Sequence, residues 1–158
     1  MTYLGPELLT SDHTLTGFDC GKPALNDWLS RRAVANQSSG ASRTWVLRTT
    51  DSSPVVAFYA SATASVLRNA APKTLSRKQP NEIPAILLCR MAVDQKHQGQ
   101  GLGAALLKHF MLKVFEVSEL VGVHLVLVHA KNVEARAFYE HYGFIESSID
   151  PYTMMMRV

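Results

Sequence analysis

Between Val93 and Ala104 the chain reads Val-Asp-Gln-Lys-His-Gln-Gly-Gln-Gly-Leu-Gly-Ala, and no other stretch limits its possible folds as strongly. An apolar segment, Ile83 to Val93, precedes it, and the apolar residues Leu102, Leu106, Phe110, Val114, Val117 and Val121 follow at intervals of three or four. This pattern predicts a strand, a polar glycine-rich turn and an amphipathic helix. Gly99, Gly101 and Gly103 free the backbone for turn conformations closed to other residues, so that successive N–H groups can face one concavity at the helix start. An anion such as a pyrophosphate belongs there.

Three other readings compete for this turn. A glycine-rich turn can simply connect strand to helix and bind nothing. The mononucleotide P-loop is excluded, because the turn lacks its closing Gly-Lys-Ser/Thr. Gly99, Gly101 and Ala104 do satisfy the dinucleotide pattern, but that fold also needs an acidic residue ending the next strand, and Val123 to His129 carries none. Glu119 has the right sequence distance and sits in the preceding helix.

The rest of the chain reads as a compact mixed domain. Its 158 residues, 47% of them hydrophobic, suffice for one buried core and predict a single domain over residues 1–158. No run of eighteen apolar residues is present, and the first residues lack the pattern of a signal peptide, so the expected location is the cytoplasm, without membrane attachment. Cys20 and Cys89 are expected to be inert thiols. A net charge of +3 permits an acidic partner without requiring one.

Tyr3 to Leu9 is an expected strand, Ser11 to Phe18 a loop, and Pro23 opens a helix with Leu25, Trp28 and Leu29 on its apolar face. Asn36 to Ser42 is expected as a loop. Arg43 to Thr49 and Val55 to Leu67 form an expected hairpin, turning at Asp51-Ser52-Ser53-Pro54. Arg68 to Glu82 is an expected surface loop. Val123 to His129 is a strand buried on both faces, Ala135, Phe138 and Tyr142 mark a short helix ended by Gly143, and Ile145 to Ile149 and Tyr152 to Val158 are closing strands.

Gln98-x-x-Gly101-x-Gly103, directly after Arg90-Met91-Ala92-Val93-Asp94, resembles the acetyl-coenzyme A signature of the GNAT N-acetyltransferases. Asn132-x-x-Ala135-x-x-Phe138-Tyr139, followed by Tyr142-Gly143-Phe144, resembles the same family's next motif at the expected separation. Gly17 to Gly21, Leu25 to Leu29, Ala33 to Gln37, Ser39 to Thr44 and the ending Asp150 to Met155 resemble its TacT-like branch, so the likeness covers nearly the whole chain. The resemblance implies an α/β fold of the α+β kind: a central mixed, mostly antiparallel twisted sheet flanked by helices and splayed between its two central strands. It implies an acetyl-CoA-dependent toxin that acetylates the amino group of aminoacyl-tRNA and blocks translation. The implied partners are a ribbon-helix-helix antitoxin, operator DNA through that complex, and a second copy in a homodimer.

Acetyl transfer needs a neutral amine, a polarised thioester carbonyl and a proton for the departing thiolate. As the resemblance implies, backbone groups of Met91, Ala92 and Val93 hold the pantetheine arm and polarise the carbonyl. Gln98, Gly99, Gln100, Gly101, Leu102 and Gly103 take the pyrophosphate, Gln98 adding its side-chain amide, while Asn132 and Phe138 complete the cofactor site. Tyr139 is the candidate general acid; the residues alone also allow a packed helix tyrosine. Tyr142, Trp45 and Tyr59 read as core, and His97 and His129 as loop or packing residues that make no metal site.

The strand before the turn contains no Asp or Glu from Pro84 to Val93. A lysine amine, with a pKa of about 10.4, would need such a base, whereas an α-amine near 7.7 to 8.0 is about one quarter neutral at physiological pH. That favours an aminoacyl α-amine over protein lysine, with Asp94 or a water sufficing as base. Arg90, Arg77, Lys78, Arg31, Arg32 and Arg43 are candidates for tRNA contact, although each also reads as a solvated charge. The competing functions are acetylation of a small amine or a protein N-terminus, and an antitoxin-dependent DNA co-repressor with vestigial activity.

Overall fold

A computed structural model describes residues 2–50 and 53–158. The strands are β1 (Tyr3–Leu8), β2 (Arg43–Thr49), β3 (Val55–Leu67), β4 (Glu82–Val93), β5 (Leu125–His129), β6 (Ile145–Glu146) and β7 (Thr153–Arg157). They form one seven-stranded sheet in the order β1-β2-β3-β4-β5-β7-β6. The helices are α1 (Pro23–Arg31), α2 (Ala33–Ser39), α3 (Lys73–Ser76), α4 (Leu102–Ser118) and α5 (Val133–His141). Two residues of the turn expected at Asp51-Ser52-Ser53-Pro54, Asp51 and Ser52, lie outside the described residues.

The chain divides into two compact units. The first comprises the chain up to Ala62 together with Arg90–Met111. In it β1, β2 and the first part of β3 pair antiparallel, and Leu25 and Leu29 of α1 are buried beside Val46, Val55 and Phe58. Trp28 stacks on Phe58 with ring centroids 6.0 Å apart. Gly40, with φ at 82°, ends α2 in the left-handed conformation that a Cβ disfavours.

Helix α2 replaces most of the loop expected from Asn36. Its sequence, Ala-Val-Ala-Asn-Gln-Ser-Ser, has no apolar period and buries only Ala33. Gln37 supplies what the period does not: its Nε2 donates to the Leu9 carbonyl at 2.6 Å, and its Oε1 accepts from the Thr44 N–H at 2.9 Å. Tertiary hydrogen bonding thus holds a segment whose local preference is weak.

The second unit comprises Thr63–Cys89 and Leu112–Val158. Its core includes Val66, Leu75, Ile83, Leu125, Leu127 and Met155. β4 and β5 pair in parallel from Ala85↔Leu125 to Leu88↔Val128. β5 pairs antiparallel with β7, which pairs with β6. The first four residues of β5 are buried, as expected of a strand covered on both faces. The segment Arg68 to Glu82 is less irregular than expected, holding a 3₁₀ turn at Arg68–Ala70 and the short helix α3.

Two further expectations are corrected in this unit. The strand from Ile145 stops at Glu146, because Ser147 and Ser148 turn to bond the chain after β3: Ser147 Oγ donates to the Ala70 carbonyl at 2.6 Å and Ser148 Oγ to that of Asn69 at 2.7 Å. Tyr142 is exposed, not core; it is the residue that closes α5, immediately before Gly143 at φ 98°.

Candidate active site

The first unit carries the end of β4 and the glycine turn. Ala92 is buried, and Met91 and Val93 are half-buried on either side of it. Asp94 follows with both carboxylate oxygens engaged: Oδ2 accepts from the Asp19 N–H at 3.0 Å and Oδ1 from the Lys96 N–H at 2.9 Å. Asp94 therefore fastens the loop before α1 to the start of the turn. His97 bonds the Tyr3 hydroxyl, consistent with a packing residue.

Gly99 and Gly101 both have φ at 78°, and a Cβ at either would point into open space. Among the described residues no backbone acceptor meets the N–H groups of Gly99 or Gly101. They precede the seventeen-residue α4, whose first N–H groups also lack intrahelical acceptors. Alternating left-handed glycines, unpaired donors and open space beside them fit a diphosphate.

Two details depart from expectation. Gly103 is not a turn glycine but lies in the first turn of α4, without positive φ. The Gln98 amide does not face an anion: Nε2 donates to the Val93 carbonyl at 2.9 Å and to that of Cys20 at 3.4 Å, pinning the turn to the strand. Leu102 is buried, and Gln100 is exposed and accepts through Oε1 from the Tyr3 hydroxyl. The contribution of Tyr3 has no local sequence signal, since it lies 97 positions from Gln100.

The second unit carries Asn132, Phe138 and Tyr139. Asn132 is the N-cap of α5, its Oδ1 accepting from the Ala135 N–H at 2.8 Å, which leaves its Nδ2 available as a donor. Tyr139 is 7% exposed. Its ring meets Phe138 and Phe144 edge-on at 5.2 and 5.5 Å, and its carbonyl accepts from the Phe144 N–H at 3.1 Å. Burial raises the pKa of the phenol well above its ordinary value, so Tyr139 is protonated at neutral pH and beyond. A rigidly packed, protonated hydroxyl suits proton donation. His129 bonds Thr153 Oγ1 at 3.1 Å. Among the described residues no three His, Cys, Asp or Glu side chains form a metal-ligand group.

The candidate tRNA residues are divided. The Arg90 guanidinium lies 5.5 Å from the centroid of the Trp28 ring, and Arg43 donates through Nη1 to the Gln37 carbonyl at 2.8 Å, committing it to the end of α2. Arg31 and Arg32 are exposed at the junction of α1 and α2. Arg77 and Lys78 are exposed in the second unit, directly after α3. Tyr59 is fully buried with its hydroxyl 2.6 Å from Nδ1 of His109, and Trp45 is half-buried.

Residues 42–146 match the model of the acetyltransferase (GNAT) domain, and the chain belongs to that family. It is an acetyltransferase that takes its acetyl group from acetyl-CoA. Among its relatives is the tRNA-acetylating toxin of Mycobacterium tuberculosis, 41% identical over 98% of this chain and 92% of that protein. Solved structures superpose equally broadly. AtaT complexed with acetyl-methionyl-tRNAfMet gives a TM-score of 0.89 at 34% identity, covering 99% of this chain and 94% of AtaT. A tyrosine-to-phenylalanine mutant of KacT gives 0.91 at 30% identity, with coverage of 99% and 94%. AtaT has also been solved with its antitoxin AtaR, with acetyl-CoA in the AtaTR assembly, and with AtaR on DNA. No helix among the described residues is long and apolar enough to cross a membrane.

Proposed function

We propose that the chain, acting as one domain over residues 1–158, acetylates the α-amino group of aminoacyl-tRNA and so stops translation. The observation that carries this reading is the 41% identity to a tRNA-acetylating toxin along 98% of the chain. Bound acetyl-CoA supplies the acetyl thioester. The N–H groups of Gln98 to Gly101 and the start of α4 hold its diphosphate, Asn132 Nδ2 donates to its arm beside Phe138, and Met91 to Val93 present backbone donors to the carbonyl. The neutral α-amine attacks the carbonyl carbon, a C–N bond forms and the C–S bond breaks. The Tyr139 hydroxyl gives its proton to the departing sulfur, the proton lost by the amine leaves to water, and the phenolate takes a proton back from water before the next turnover.

The same proposal includes neutralisation by a ribbon-helix-helix antitoxin and operator binding by the complex in the cytoplasm; it is supported by the complexes that AtaT forms with AtaR and with DNA. The test incubates the purified protein with acetyl-CoA and a pool of charged tRNA, beside Tyr139→Phe. N-acetylated aminoacyl ends that depend on Tyr139 are the expected result. Turnover on free amines alone would move the protein to a different acceptor.

A further inference from the structure

The second unit contains a hollow of about 890 Å³ whose wall includes Arg68, Lys73 and Arg77, with Asn69, Asn81 and Ser148 between them. Among the described residues no carboxylate lines it. All three cationic side chains are exposed, and none has an acidic partner within 4.0 Å among the described residues. Three like charges around one concavity repel each other and focus a positive potential into it. A ligand with several negative charges relieves that repulsion, and a single phosphate is too small for the space.

The rim is fixed. The Arg68 N–H donates to the Asn81 carbonyl at 2.9 Å, and Ser147 and Ser148 bond the carbonyls of Ala70 and Asn69. Those serines follow β6, which begins one residue after Phe144, the residue bonded to the Tyr139 carbonyl. The hollow is therefore tied to the frame that positions Tyr139.

A second observation points the same way. Ser76 to Gln79 form a turn closed by Gln79 N–H to the Ser76 carbonyl at 3.2 Å, with Arg77 at φ −59°, ψ 133° and Lys78 at φ 60°. This is a type II turn, whose third position ordinarily takes glycine. Lys78 is the only non-glycine residue with positive φ among the described residues. A lysine held at backbone cost, exposed and next in the chain to Arg77, marks a charge kept for something other than folding.

Resting on the aminoacyl-tRNA reading, we propose that this hollow, together with Lys78, binds consecutive phosphodiesters of the tRNA substrate while Asn69, Asn81 and Ser148 meet phosphate and ribose oxygens. Phosphate contacts of this kind carry affinity and register without sequence preference.

The test compares the full-length protein with Arg68→Ala, Lys73→Ala, Arg77→Ala and their combination in two assays. Direct binding of charged tRNA is titrated with salt. Acetylation is measured on charged tRNA and on a minimal aminoacyl-CCA ester that lacks the remote phosphates. In the combined variant the slope of log K against log salt is expected to fall by about 2 to 3, and the loss of kcat/KM on charged tRNA to exceed that on the minimal ester by about tenfold or more. Lys78→Gly should bind tRNA more weakly with no fall in Tm, and Arg77→Lys should retain most of the binding. Equal losses on both substrates, or an unchanged salt slope, overturn the proposal. Impaired antitoxin binding with intact tRNA binding reassigns the hollow to the antitoxin. Wild-type protein that acetylates neither substrate refutes the aminoacyl reading itself, while the binding slope still judges the hollow.

Discussion

The Tyr3 hydroxyl lies 2.9 Å from Nδ1 of His97, joining the first strand to the turn that carries the diphosphate donors. The same hydroxyl donates to Oε1 of Gln100 at 3.1 Å, so His97 donates through Nδ1–H. One phenol thus fixes residues on both sides of Gly99. Tyr3→Phe keeps the ring and removes these bonds, each with a net value of about 0.5 to 1.5 kcal/mol. The KM for acetyl-CoA is expected to rise about two- to tenfold with kcat nearly unchanged. Steady-state kinetics at saturating acceptor check this, and a fall in kcat at constant KM would contradict it.

Asp94 supports the same turn from the other side, since its two oxygens accept from Asp19 and Lys96. Asp94→Asn leaves one of these part-buried N–H groups facing an amide donor. A loss of about 1 to 3 kcal/mol in stability is expected. The pH dependence of kcat is expected to keep its wild-type shape, because both Asp94 oxygens are engaged by backbone N–H groups and water serves as the base. Denaturant unfolding and a pH–rate profile separate the two effects; a flattened alkaline limb would restore Asp94 as base.

These two residues also mark the limit of what the sequence conveys. β3 spans Val55–Leu67 as expected, because a run of β-branched and small residues bounded by a turn is a local signal. The glycine turn, α5 and the buried β5 are local in the same sense. The Tyr3 contact spans 94 positions and the Asp94 contact to Asp19 spans 75, so no spacing rule reaches them. Helix α2 depends on Gln37 reaching Leu9, and β6 is cut short by serines reaching Ala70 and Asn69. Polar side chains with several possible partners are where pattern reading ends. The Gln98 amide, bonded to two backbone carbonyls instead of an anion, is the same case within the motif itself.

Asn132 has two separable duties, since Oδ1 caps α5 and Nδ2 remains a donor. Asn132→Asp keeps the capping oxygen and adds a charge that suits a helix N-terminus, but loses the donor. Its thermal stability should match or exceed wild type while the KM for acetyl-CoA rises. Asn132→Ala loses the cap as well, at about 0.5 to 2 kcal/mol. If Asn132→Asp leaves the KM unchanged, the side chain serves only the helix.

Tyr139 offers a test in pH. Burial raises its phenol above the ordinary value of 10.0, so in the folded protein it holds its proton where the unfolded chain has released it. Below pH 10 both states are protonated and the group adds no pH dependence. As pH rises above about 10 the unfolded state loses the proton first, and folding stability falls progressively through the folded pKa. Tyr139→Phe should remove this share of the alkaline loss. In catalysis the same shift keeps the acid supplied with its proton, so kcat/KM should rise with the titration of the aminoacyl α-amine, which the ester lowers below the ordinary 7.7 to 8.0, and show no fall before pH 10. Tyr139→Phe should lower kcat by about 10² to 10⁴ with little change in the KM for acetyl-CoA. A wild-type rate that declines between pH 8 and 9, with the protein still folded, would mean that a different and more acidic group delivers the proton.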